Sequence, residues 1–157
     1  MPGKGEAEWK QEEMEQEFQI FTPMEKQEAA GKNALVLAYI GDTVFDLYVR
    51  SAIIKEKKGT VNALNQMACK MVNAKAQAES AQKIMDELSE EELDIFKRGR
   101  NAKSSTTPKN MTVGDYKKAT GLEALVGYLF LCGEYRRLDE IMMKIIHLNF
   151  EGEQARA

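Results

Sequence analysis

Apolar residues along this 157-residue chain recur three and four positions apart rather than alternately, a spacing that predicts helices and no strand. From Lys32 onward, Leu35, Leu37, Tyr39, Ile40, Val44, Phe45, Leu47, Tyr48, Ile53 and Ile54 are too densely placed for a helix with a single buried stripe. They predict a long central helix of about 24 residues, covered on most sides. Gly59 breaks it, and Thr60 as N-cap opens a second helix through Val61, Leu64, Met67, Met71 and Val72. Asn73 caps an alanine-rich third helix from Ala74 to Leu88, and Ser89 with Glu92 has the capping-box spacing that starts a short fourth. Gly99, Pro108 and a Ser/Thr cluster mark Arg98 to Asn110 as a loop. Thr112 and Asp115 repeat the capping-box spacing before a helix through Tyr116, Leu122, Leu125, Val126, Leu129 and Phe130. Gly133 stops that helix, and a last one carries Tyr135, Leu138, Ile141, Met142, Ile145 and Ile146. The expected fold is all-α: one domain over 32–149, a mobile extension over 1–31 and a tail over 150–157.

Composition narrows the chemistry. Apolar residues make up 43% and charged residues 30%, an ordinary soluble balance at a length that needs no covalent or metal staple. Cys69 and Cys132 are too few for a disulfide framework or a four-ligand zinc site, and the single His147 excludes a poly-histidine metal centre. No apolar run approaches a membrane span and no signal-peptide core is present, so the expectation is a soluble, cytoplasmic protein with no membrane partner. Any catalysis has to come from carboxylates.

The net charge of −3 conceals two opposed segments. Residues 1–30 hold eight acids and three lysines, whereas Lys97 to Lys118 holds seven basic residues and Asp115 as its one acid. A basic segment therefore sits behind an acidic extension. Arg98, Arg100, Lys103 and Lys109 supply charge suited to backbone phosphates, and Ser104, Ser105, Thr106 and Asn110 supply neutral donors. A solvated surface loop fits the same residues equally well. Tyr39, Phe45, Tyr48, Tyr116 and Phe130 fall at helical spacing and read mainly as core.

Two acids stand out because they interrupt apolar helices. Asp42 follows Gly41 in Ala38-Tyr-Ile-Gly-Asp-Thr-Val-Phe45, and Glu123 lies between Gly121 and Gly127 in the fifth helix. Small neighbours let helices approach closely, so the two carboxylates can meet across a helix–helix contact. Facing carboxylates stay ionised only with positive charge between them. Either a hard divalent cation such as Mg²⁺ or a nearby Arg or Lys, such as Arg50, answers that need.

Asn33-Ala-Leu-Val-Leu-Ala-Tyr-Ile-Gly-Asp-Thr-Val-Phe-Asp-Leu-Tyr-Val-Arg50 resembles the signature helix of the ribonuclease III family. Met71 to Ala78 is similar to its next conserved helix, and Leu122-Glu-Ala-Leu-Val-Gly-Tyr-Leu-Phe130 to its second catalytic helix. Tyr48-Val-Arg50, Lys97 to Lys103 and Thr106 to Asn110 resemble the compact Mini-ribonuclease III branch, which lacks a double-stranded-RNA-binding domain. The resemblance implies a homodimeric helical endonuclease that cuts double-stranded RNA with Mg²⁺, or Mn²⁺ in its place, leaving 5′-phosphates and 3′-hydroxyls. It puts Asp42 and Glu123 at metal-binding, catalytic positions, and Arg98, Arg100, Lys103, Ser104, Lys109 and Asn110 on the RNA. In this branch the substrate is the stem of precursor 23S ribosomal RNA, with a ribosomal protein or pre-ribosomal particle as a further partner. Full-length family members carry extra acids where this chain has Leu35, Ala38 and Thr120. The alternative is an inactive relative that serves RNA binding or ribosome assembly.

Overall fold

The computed structural model describes residues 21–103 and 107–156, with side chains to 153. Its helices, in chain order, are α1 (Lys26–Ala30), α2 (Ala34–Glu56), α3 (Val61–Val72), α4 (Ala74–Ile84), α5 (Glu90–Asn101), α6 (Val113–Leu131) and α7 (Tyr135–Arg156), with a 3₁₀ turn at Met85–Glu87. Among the described residues there is no strand. The predicted caps form. Thr60, Asn73 and Thr112 each accept a hydrogen bond from a backbone N–H of the helix they open, and Ser89 and Glu92 complete a reciprocal capping box; Asn33, not read as a cap from sequence, does the same for α2.

The centre of the domain is α6, not α2. Every residue from Ala119 to Leu129 except Glu123 is buried, because α2, α4 and α5 all pack against this helix. Helix α2 buries Leu37, Ala38, Gly41, Val44, Phe45, Val49 and Ile53 toward α6 and the other helices. Its opposite face is uncovered: Tyr39 is 81% exposed, Ile54 68%, Leu47 65% and Val36 52%. The expectation of a helix covered on most sides is therefore corrected, and Tyr39 is not a core aromatic. Apolar density alone does not say whether a face is covered from within the chain.

Two glycine contacts set how closely the helices approach. A Cβ placed on Gly41 would stand 1.7 Å from the Glu123 carbonyl oxygen, and one on Gly127 would stand 1.9 Å from that of Leu37. The pair is reciprocal, each glycine receiving the other helix's backbone. On the far side of α6, a Cβ on Gly99 would lie 2.8 Å from the Ala124 Cβ, and one on Gly121 would lie 2.7 Å from the Phe96 carbonyl oxygen. Gly99 therefore does not begin a loop. It is a helical contact residue, and α5 runs on to Asn101 with Arg98 and Arg100 in its last turn, where cations suit the helix dipole.

The ends of the domain differ from expectation too. The Met24 amide donates to the Leu131 carbonyl at 2.8 Å, Pro23 packs on Gly133, and Ala29 is fully buried. Residues 21–31 thus form a strap across the end of α6, and residues 1–20 of the acidic extension lie outside the described residues. Helix α7 continues through the segment read as a tail. Its Arg137 joins Glu92 through Nε at 2.8 Å and donates from Nη2 to the Glu87 carbonyl at 2.9 Å, which ties α7 to the start of α5.

Because the obstacle at Gly41 is backbone rather than a flexible side chain, Gly41→Ala is expected to cost about 3 kcal/mol or more. Gly114, where an added Cβ meets nothing within 4 Å, serves as the control. Gly114→Ala should be neutral or stabilising by up to about 1 kcal/mol. Urea unfolding midpoints check both.

Candidate active site

The Gly41–Gly127 crossing fixes the surroundings of the two embedded acids. Asp42 follows the glycine that touches the Glu123 backbone, so the α2–α6 contact carries one carboxylate on each side. Asp42 is exposed and Glu123 partly buried. Burial, and then the charge of Asp42, pushes the Glu123 carboxyl up to about 8. Asp42 is itself raised, by burial and then by Asp46 one turn further along α2.

Neither acid has an ion-pair or side-chain hydrogen-bond partner among the described residues. Arg50, the candidate neutraliser, turns to Asp46 instead, with Nε 2.9 Å from Oδ2. Two coupled oxygen donors left without a cation fit a hard divalent ion well. No group of three or more His, Cys, Asp or Glu able to hold a metal occurs among the described residues. The positions of the extra acids of full-length relatives hold Leu35, the buried Ala38, and Thr120, whose hydroxyl donates to the Tyr116 carbonyl at 2.8 Å.

The predicted RNA-binding residues divide into three groups. Arg98 serves the fold: Nη1 donates to the Ala30 carbonyl at 2.6 Å and Nη2 to that of Lys32 at 3.0 Å, clamping the strap to the start of α2. Arg100 is half-buried and donates from Nε to Asn101 Oδ1 at 3.3 Å. Lys103, Lys109 and Asn110 are exposed, while Ser104, Ser105 and Thr106 lie outside the described residues. Lys103 and Arg98 come together with Lys97 around an open groove of about 580 Å³ between the last turn of α5 and the first of α2. Sequence marks Lys97 as the start of the basic segment but not as a site residue; its place two turns into α5 hides the fact that α5 ends beside α2.

Residues 35–134 match the Ribonuclease III domain family. The chain is 56% identical over 108 residues to a Mini-ribonuclease 3 of Thermoanaerobacter sp. (strain X514), covering 69% of this chain and 76% of that one. It is 46% identical over 130 residues to a Mini-ribonuclease 3 of Clostridium tetani (strain Massachusetts / E88), covering 82% and 86%. A crystal structure of a Fusobacterium nucleatum protein superposes with a TM-score of 0.68 at 34% identity, covering 78% of this chain and 95% of that one.

A carboxyl raised to about 8 binds its proton more tightly in the folded state than in the unfolded one. Its contribution to stability is therefore greatest below the ordinary carboxylate range and is lost as pH rises to about 8. Glu123→Gln removes the ionisation, so its thermal midpoint without divalent cations should gain on wild type from pH 5 to pH 9. A gap that is constant across that range would contradict the shared field of Asp42 and Glu123. Calorimetry of Mg²⁺ binding in buffers of different ionisation enthalpy should also show proton release at pH 7 that shrinks at pH 9.

Proposed function

The chain belongs to the ribonuclease III family, in its Mini-ribonuclease 3 branch, and we propose that this double-stranded RNA endoribonuclease works through Asp42 and Glu123 on a divalent cation, Mg²⁺ or Mn²⁺. The observation that carries this reading is the pair itself: two carboxylates set together by a glycine crossing, Glu123 raised by burial and by Asp42, and neither with a cation of its own. Asp42 and Glu123 would hold the ion. When bound, it supplies charge that acidifies a water and offsets negative charge growing on the phosphate under attack.

The chain's own residues do the rest. Exposed Asp42 leaves one side of the site open to a duplex, while half-buried Glu123 keeps the other carboxylate on α6. Lys103, Lys109 and Asn110 meet backbone phosphates, and Arg98 holds the surface they stand on. An A-form duplex is read mainly by shape, because its major groove is too narrow for side chains. The products are 5′-phosphate and 3′-hydroxyl ends.

A homodimer completes the proposal. Val36, Tyr39, Leu47 and Ile54 form an apolar stripe along α2 that nothing among the described residues covers, the pattern of a helix that meets a second copy. Two sites then address the two strands of one duplex. The substrate proposed is the stem of precursor 23S ribosomal RNA, with a ribosomal protein or pre-ribosomal particle presenting it.

Asp42→Asn and Glu123→Gln should each lower kcat on double-stranded RNA by at least about 100-fold while leaving binding within a few-fold. Gel assays of cleavage beside filter binding check this; cleavage that survives either change would sink the assignment. Tyr39→Glu should give a monomer by light scattering, and an unchanged mass would place the dimer contact elsewhere.

A further inference from the structure

The groove between α5 and α2 joins Lys103, already placed on backbone phosphates, to Lys97, which the proposed chemistry leaves without a role. Its walls carry Lys97 and Lys103 on one side, and Asn33, Ala34 and Leu35 at the start of α2 on the other. Asp94 is its one acidic lining residue against three basic ones. Arg98 is committed to the Ala30 and Lys32 carbonyls, so the charge facing the opening is that of the two lysines. Neither lysine has an ion-pair partner among the described residues, and both are exposed. The clamp also makes the groove a built feature, because it pins the segment that leads into α2 against the last turn of α5.

Its position relates it to the acids. Leu35 lines the groove, and Asp42 lies seven residues along the same helix, two turns on and on the same face. At the α-helical rise this separation is about 10 Å along the axis. Groove and Asp42 therefore lie along one edge of α2.

We infer that Lys97 and Lys103 form a phosphate subsite that grips the RNA backbone beside the phosphate being cut, on the same strand. It rests on the proposed nuclease reading and adds the residues that align the strand. A backbone phosphate carries no base identity, so the subsite sets register and affinity rather than sequence preference. It places Lys97, on helix α5, in RNA contact, and it leaves Arg98 as a positioning residue acting through α2.

The test compares wild type, a Lys97→Ala/Lys103→Ala variant and a Lys75→Ala/Lys83→Ala control whose lysines lie on α4. Binding of a short double-stranded RNA is measured in divalent-free buffer across salt, and kcat with Mg²⁺ at saturating RNA. The groove variant should bind about tenfold more weakly, and its dependence of log Kd on log salt should flatten by about two, one per lost contact. Its kcat at saturation should stay within about twofold of wild type, and the control should match wild type. Replacing single phosphates by neutral methylphosphonates near the cut should weaken wild type at one position and cost the groove variant nothing further there. If wild type cuts but the groove variant binds with unchanged Kd and slope, the subsite is overturned and the nuclease reading stands. An equal loss in the control would reduce the effect to diffuse charge and also overturn it. A wild type that neither binds nor cuts duplex RNA would overturn both.

Discussion

Everything about the site follows from the backbone-to-backbone approach of α2 and α6 at Gly41 and Gly127. Each glycine occupies space that any Cβ would share with a carbonyl of the other helix. Ordinary helix pairs are held apart by their side chains at 8–10 Å or so. Removing the side chains at the crossing lets the residues beside it face one another at short range. Asp42 is adjacent to Gly41, and Glu123 lies one turn before Gly127, so the contact that closes the core also sets two carboxyl groups against each other.

That opposition carries a cost the rest of the fold leaves in place. Arg50, on the same helix as Asp42, is engaged with Asp46 instead. Contrast Glu92, equally an acid in a packed setting. Its carboxyl is lowered overall because Arg137 and the Ser89 capping box outweigh its burial. Glu123 has burial and no such partner, so it moves the other way. The same residue type is a structural ion pair in one place and an unpaired carboxyl with a raised pKa in the other, and the difference is the supply of cations around it.

Local signals made most of the helices legible, since caps and apolar spacing are decided within a few residues. Thr60, Asn73, Ser89 and Thr112 all cap as their types and spacings require. Asp42 and Glu123 were legible as a candidate pair because an acid beside glycine in an apolar helix conflicts with its surroundings. Gly99 was misread because one residue type serves both as a breaker and as a close-contact residue, and only the presence of Ala124 and Gly121 opposite decides between them. The structural role of Arg98 was not legible for a related reason. A basic side chain looks the same in sequence whether it faces water or the carbonyls of a segment 66 to 68 positions away.

Helix α2 shows how one periodicity serves three surfaces. At 3.6 residues per turn, Leu37, Gly41, Val44 and Phe45 fall toward α6; Leu35, Asp42 and Asp46 fall along one edge of that face; and Val36, Leu47 and Ile54 fall opposite, with Tyr39 and Arg50 between edge and stripe. The acidic edge thus lies between two apolar arcs, which is why hydrophobic spacing alone reads the helix as covered nearly all round. The Arg50–Asp46 ion pair bridges that edge. It keeps a second carboxylate from adding its full charge to Asp42, and it sets a polar border beside the apolar stripe. A second copy seated on the stripe would end its contact at this border, so Asp42 would remain open to a duplex.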